Sequence, residues 1–204
     1  MKTASTRQHH FRSGPNRQRG IGLIEVMIAV LVFSVGILAL AASQLAAKRS
    51  IYEATQRSIA TGLTRDIIER MRSNKNQLDA YVVTNIGDEA SLLSAATTDC
   101  AITSCTPAEL AAYDLVEWES LLTGATEKLG SANAGGLVSP RACITHSNRT
   151  VTVAIAWRGV NSATNPTESA CGNTVVGLYD DPDETAGNNL RRRLLVMSTY
   201  IGRN

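Results

Sequence analysis

The constraint that most limits this chain is a run without charge. After Glu25, no Asp, Glu, Lys or Arg occurs until Lys48, and the intervening residues are mostly apolar. About 22 such residues suffice to cross a bilayer as a helix. Nothing later in the chain is long and apolar enough to span again. Met1 to Gly20 carries Lys2, Arg7, Arg12, Arg17 and Arg19 and no acid. The remaining 15 basic side chains face 18 acidic ones, so the overall charge of +2 belongs to this tail and not to the folded body. Cations before the span put the N-terminus in the cytoplasm by the positive-inside rule and the rest across the membrane. The tail itself reads as solvated and disordered.

Composition narrows the classes further. With 44% apolar and 19% charged residues in 204, the chain is neither intrinsically disordered nor a multi-span membrane protein. Aromatics at 4% argue against a base-stacking platform, so no nucleic-acid partner is expected. Of three histidines, His9 and His10 sit in the basic tail. There is no G-x-S-x-G, phosphate loop, HExxH or dinucleotide glycine turn, so no enzyme activity, catalytic residue or cofactor is expected.

Glu25 interrupts the apolar segment near its start. A lone carboxylate in a bilayer centre costs roughly 2.5 kcal/mol or more, and less at an interface. It either marks the cytoplasmic interface or awaits a positive partner. Two processing readings follow. One is a secretory signal with a cleavage site at Ala39-Leu40-Ala41, releasing a secreted soluble binding domain. Its weak points are the long basic region and a helical pattern that runs on past Lys48. The other is cleavage between Gly20 and Ile21.

The stretch Arg19-Gly20-Ile21-Gly22-Leu23-Ile24-Glu25 resembles the prepilin signal of type IV pilins and pseudopilins. Ile21 stands where Phe is commoner, and Gly22 where Thr or Ser is. The resemblance implies that a prepilin peptidase removes residues 1–20 and methylates Ile21, and that Glu25 neutralises the new N-terminus of a neighbour in a filament. A buried carboxylate is tolerable only when paired and hydrogen-bonded, so such pairing would select axial register. Size, the Leu-Ile-Glu-Val start of the span and the segment Tyr113 to Trp118 resemble minor pilins of the PilV class. That class implies a role in starting pilus assembly and a place in or at the fibre tip, with adhesion and twitching motility following. It implies as partners the prepilin peptidase, other minor pilins, the major pilin, the inner-membrane assembly platform and a large tip adhesin. The chain would reside in the inner membrane, head periplasmic, and after assembly in an extracellular fibre. A minor pseudopilin of a type II secretion system shares every N-terminal feature and is the alternative.

Residues 21–47 are therefore expected to form the membrane and filament-core half of one long helix, and 48–75 its amphipathic half. Tyr52, Ile59, Leu63, Ile67 and Met71 recur near one face, with Arg57, Arg65, Asp66, Glu69, Arg70 and Arg72 on the other. Gly36 and Gly62 are places where it can soften. Residues 76–204 form the head, giving an α+β, pilin-like fold with a second short helix and a small antiparallel sheet. Residues 75–105 read as an irregular connection, with short helical pieces between Asp88 and Ala96. Thr106-Pro107-Ala108-Glu109 reads as a capping box opening a helix to about Leu122, with Trp118 as a core anchor.

From Val151 to Trp157 the period is two, one face buried, and Ala142–Thr145 reads as its hairpin partner with a turn near Ser147-Asn148. Asn173–Tyr179 is a short candidate strand and Leu190–Ile201 the last one. Its Arg191, Arg192 and Arg193 are expected at a solvated edge. Asp180 to Glu184 resembles a calcium run by oxygen count only, without the EF-hand spacing, so no metal site is assigned. An even cysteine count beyond a membrane favours disulfides. Cys100, Cys105, Cys143 and Cys171 allow three pairings. The preferred one closes a local loop, Cys100–Cys105, and ties a strand to the following loop, Cys143–Cys171.

Overall fold

The structure is a computed structural model that describes residues 20–87 and 98–202. The basic tail with His9 and His10, and the helical pieces expected between Asp88 and Ala96, lie outside the described residues. The chain divides into two compact units, Met1–Ala46 and Ala47–Asn204. Helix α1 runs unbroken from Leu23 to Ser73, through both Gly36 and Gly62. Its 51 residues correspond to about 77 Å at 1.5 Å per residue.

In the second unit α1 gives way to a 3-10 turn at Leu78–Tyr81 and strand β1 at Val83–Ile86. Helix α2, Pro107–Thr123, follows. A two-stranded ribbon, β2 (Lys128–Leu129) and β3 (Ala132–Asn133), precedes β4 (Arg141–Ser147), β5 (Thr150–Arg158) and β6 (Arg192–Tyr200). The main sheet is antiparallel in the order β1-β4-β5-β6.

Local chemistry accounts for most of these elements. Thr106 caps α2: its hydroxyl accepts the Glu109 amide at 3.3 Å, and the Glu109 carboxylate accepts the Thr106 amide at 2.8 Å. Pro107 sits in the first turn, where a missing N–H is harmless. Gly124 at φ 70° closes the helix in the left-handed conformation. Asn148 and Arg149 at φ 46° and 65° form a two-residue turn of the kind that matches strand twist, joining β4 to β5.

The core lies between the sheet and the two helices. Ile67 and Met71 of α1, Leu115, Trp118 and Leu122 of α2, and Val151, Val153, Ile155 and Trp157 of β5 belong to one buried cluster, with Ile59 and Leu63 packed against it. Tyr52, at the start of the expected stripe, is exposed. Trp118 is fully buried and donates its indole N–H to the Leu63 carbonyl at 2.9 Å, so it anchors α2 to α1 by both area and a hydrogen bond.

Arg70 departs from the solvated face expected for it. It donates to Asp66 at 3.0 Å, to Asp114 at 3.0 Å and to Glu117 at 2.7 Å. Burial alone disfavours its charge, but these acceptors outweigh that and hold its pKa above the usual arginine value. Tyr81 donates to the other Asp114 oxygen at 2.5 Å, and burial first and this bond second raise its pKa. Asn74 ties the end of α1 to the Pro107 carbonyl at 2.6 Å. The α1–α2 seam is thus half apolar and half a satisfied polar network.

The far face of the sheet corrects two expectations. Ala154 and Ala156 are buried there rather than solvated. The segment between β5 and β6 folds back over them, and Asn173–Tyr179 within it forms turns instead of a strand. Gly172 sits so close that an added Cβ would meet the Ala156 Cβ at 3.1 Å, and its φ is +73°. Only glycine fits such a site. Arg192 is 1% exposed, not solvated. It donates to Asn165 Oδ1 at 2.8 Å, to the Ser169 carbonyl at 3.0 Å, to the Cys171 carbonyl at 2.7 Å and to the Pro166 carbonyl. Arg192 clamps the loop, while its strand neighbour Arg193, on the opposite face, lies 3.5 Å from Glu53 of α1.

Strand β1 occupies part of the connection expected to be irregular. It is four residues long, its register with β4 shifts between Val83 and Ile86, and Asn85 has φ 54°.

Two outcomes test this account of the seam. Trp118→Ala should lower the unfolding free energy by about 3–5 kcal/mol, and Thr106→Ala by about 1 kcal/mol, both read from urea midpoints. Glu117 has its pKa lowered, first by the hydrogen bond from Arg70 and then by that from Tyr113. Its contribution is present above the ordinary glutamate value of 4.5 and is lost as pH falls through the lower folded value. The urea midpoint should therefore fall on acidification below that range, and less steeply in Arg70→Met; parallel pH profiles would contradict the role given to Arg70.

Candidate functional site

The site is built at the start of α1. Gly20, Ile21 and Gly22 precede the helix, and the Gly22 carbonyl accepts from the Glu25 amide at 3.0 Å and the Val26 amide at 3.3 Å. Gly22 is thus the N-cap and Glu25 the third helical residue. A carboxylate in the first turn is favoured by the unpaired amides and the positive end of the helix dipole. Ile21 is 77% exposed just ahead of the first turn. Among the described residues no ion pair or hydrogen bond occupies the Glu25 side chain.

Every described residue from Gly20 to Tyr52 is exposed. The apolar ones include Leu23, Ile24, Leu31, Phe33 and Leu38, each more than half exposed. Water cannot be the resting environment of such a surface: single exposed apolar residues are ordinary, but a continuous cylinder of them is not. The helix passes the length and composition test for a membrane span. Its backbone groups are satisfied internally, as hydrocarbon requires. The one hydroxyl early in the span follows the same rule, Ser34 donating to the Leu31 carbonyl at 2.8 Å. At Gly22 and Gly36 the space where a side chain would stand is nearly open. Both leave room for close approach by another helix.

The other sequence candidates serve structure. The pairs Cys100–Cys105 and Cys143–Cys171 are disulfides, and no free cysteine occurs among the described residues. No group of three or more His, Cys, Asp or Glu suited to a metal occurs among the described residues. His146 faces Asp79 through Nδ1 at 2.6 Å. In the acidic loop the Asp180 carboxylate accepts the Gly187 amide at 2.7 Å and the Asn189 amide at 3.0 Å, and these bonds lower its pKa. Asp181 accepts from Ser162, from the Asp183 amide at 3.2 Å and from Arg191 at 3.4 Å. Its oxygens, like those of Asp180, are engaged within the protein. Asn85, unremarked in sequence, accepts the Gly172 amide at 2.8 Å beside the Cys143–Cys171 bridge. Its left-handed backbone carried no signal beyond the residue type.

A bare apolar helix opening on a lone carboxylate, with a disulfide-bonded α+β head, defines a membrane-anchored subunit built to pack through its N-terminal helix. Residues 42–116 match the family model Tt1218-like, described as type IV pilin Tt1218, and residues 15–41 match the prokaryotic N-terminal methylation motif. No curated protein and no solved structure gives a significant match. The chain belongs to the type IV pilins and carries a prepilin-type N-terminal signal. The family is structural and not enzymatic. Its members are processed by a prepilin peptidase, anchored in the inner membrane and then incorporated into a fibre with other pilins.

A charge in mid-span tests the anchoring. Leu31→Arg adds about 2.5–3.5 kcal/mol to insertion at a helix centre. It should shift the protein out of the alkali-resistant membrane fraction; unchanged retention would show that the head, not this helix, holds the chain at the membrane.

Proposed function

We propose that this chain is a minor pilin of the PilV kind, which helps to initiate pilus assembly and sits in or at the tip of the fibre. The observation that carries the reading is the position of Glu25. It stands in the first turn of a helix whose apolar first half is exposed throughout, and is the fifth residue after the Gly20–Ile21 junction.

Cleavage at that junction removes residues 1–20 and leaves a positive α-amine on Ile21, which is then methylated. Within one chain Glu25 partly neutralises that amine while the helix is stored in the inner membrane, N-terminus cytoplasmic and head periplasmic. During assembly the Glu25 carboxylate pairs with the Ile21 amine of a neighbouring subunit. The pairing is strong because the surroundings are apolar, and it is specific because an unpaired charge there is penalised. The head then presents surfaces to other minor pilins, the major pilin and a tip adhesin, with the assembly platform supplying the motion. Adhesion and twitching motility are properties of the finished fibre.

The mature N-terminus decides the first step. Mass spectrometry of protein from the membrane fraction should give a peptide that begins at Ile21 and carries one added methyl group. A start near Ala42 in a soluble fraction would refute the proposal. Gly20→Ala should leave the precursor uncut. Glu25→Ala should be cut normally yet be depleted from sheared fibres; normal incorporation would remove the role assigned to Glu25. Fibres on the cell surface that lack the protein, with loss of exoprotein secretion on its deletion, would assign it to a secretion system instead.

A further inference from the structure

The main sheet has two edges, and they are treated differently. At one edge β1 is short, shifted in register and bent at Asn85, features that discourage pairing with another strand. At the other edge β6 keeps an unbroken register with β5 over nine pairs, and its centre, Leu194 to Met197, carries no charge and no proline.

The hairpin fixes which β6 groups face outward. A two-residue turn makes Ser147 and Thr150 a mutually hydrogen-bonded pair, so the even-numbered residues of β5 bond to β4 and the odd-numbered ones to β6. Their partners in β6 are Thr199, Met197, Leu195 and Arg193. The N–H and C=O of Leu194, Val196 and Ser198 therefore point away from the sheet. Flanking bonds keep this phase: the Ile201 amide donates back to Arg149 at 2.9 Å, whereas the Leu190 carbonyl accepts from Ala163, outside the sheet, at 2.8 Å. Among the described residues no backbone or side-chain partner meets the six outward groups of Leu194, Val196 and Ser198. They span about 13 Å of extended chain.

Beside this edge the surface is open and basic. One opening of about 310 Å³ is lined by Arg57, Pro166, Glu168 and Leu194 to Val196, and another of about 440 Å³ by Arg65, Ile68, Glu69, Arg72 and Met197 to Thr199. Arg72 is held by Glu69 at 2.6 Å. Arg57 and Arg65 are exposed, and among the described residues no carboxylate lies within ion-pair distance of either. They are on α1, which overlies the sheet face to which Leu195 and Met197 turn. A strand laid along β6 would turn every second side chain toward them.

We infer that the outer edge of β6 is a docking site for an extended segment of a partner protein that carries acidic side chains at alternate positions. Main-chain hydrogen bonds to Leu194, Val196 and Ser198 supply the binding, and Arg57 and Arg65 select the charge. The inference stands whether or not the chain is a minor pilin.

The test uses full-length, isotope-labelled protein in zwitterionic detergent micelles and an eight-residue peptide of alternating glutamate and valine. Amide exchange at Leu194, Val196 and Ser198 should slow by about tenfold or more at saturating peptide. A matched peptide with lysine for glutamate should have no effect. Val196→Pro removes an outward N–H, which an edge strand tolerates, and should abolish the slowing at Leu194 and Ser198. Arg57→Glu combined with Arg65→Glu lies on the exposed face of α1 and should weaken it while leaving the rest of the amide spectrum unchanged. No slowing, or equal slowing with the lysine peptide, would overturn the inference. Slowing that rises with protein concentration in the absence of peptide would overturn it in favour of a second copy of this chain.

Discussion

The second half of α1 has to hold a head in place while the first half offers apolar side chains to something outside the chain. The seam with α2 meets this demand. Trp118 fills the interface and reaches the backbone of α1, and Arg70 answers Asp66, Asp114 and Glu117 together. An isolated surface ion pair contributes little, whereas a partly buried guanidinium with three acceptors and a satisfied tyrosine beside it specifies one arrangement. The sheet then packs against a pair of helices whose mutual position is already set. That order of dependence explains why the core cluster draws on α1, α2 and β5 alike.

The head's two sheet faces are covered by different means. One meets the helices and is filled by large apolar side chains. The other carries small side chains on β5, Ala154 and Ala156, beside Leu194 and Val196 of β6, and a loop lies over the two alanines. Such a loop buries little apolar area, so it needs other ties. The Cys143–Cys171 bridge pins it to β4, contributing about 3.6 kcal/mol in the chain-entropy account. Arg192 gathers its carbonyls, which would otherwise be buried without donors. Arg192 stays in place because its fork supplies several donors in one plane, which lysine could not.

Much of this was readable from residue order. The uncharged run after Glu25, the capping box at Thr106 and the alternation from Val151 to Trp157 are local signals, and each produced the element its chemistry favours. Local signals also misled. Asn173–Tyr179 has strand-forming residues, but Gly172 and Gly177 at positive φ and the nearby disulfide turn the chain instead. Strand β1 was hidden because four residues, one of them a left-handed asparagine, carry no period. Arg192 and Arg70 were assigned to solvent since a charged side chain is usually there. Apart from Asp66, one helical turn from Arg70, their acceptors are separated from them by 21 to 47 residues, a distance that periodicity cannot see. The start of α1, by contrast, was legible in full as a pattern, because its features lie within seven consecutive residues.

Both sulfur bridges join residues beyond Asp99, one spanning 100–105 and the other 143–171. Neither grips α1. When a subunit of this design is pulled through its N-terminal helix, tension passes into the head along the main chain at the end of α1 and through the seam of Trp118, Arg70 and Asn74. The bridges harden the head against deformation but take no part in transmitting the load. Resistance to pulling would then be set by packing and ion pairs, which can re-form after a slip. The covalent clasps keep the far side of the head from unravelling while they do.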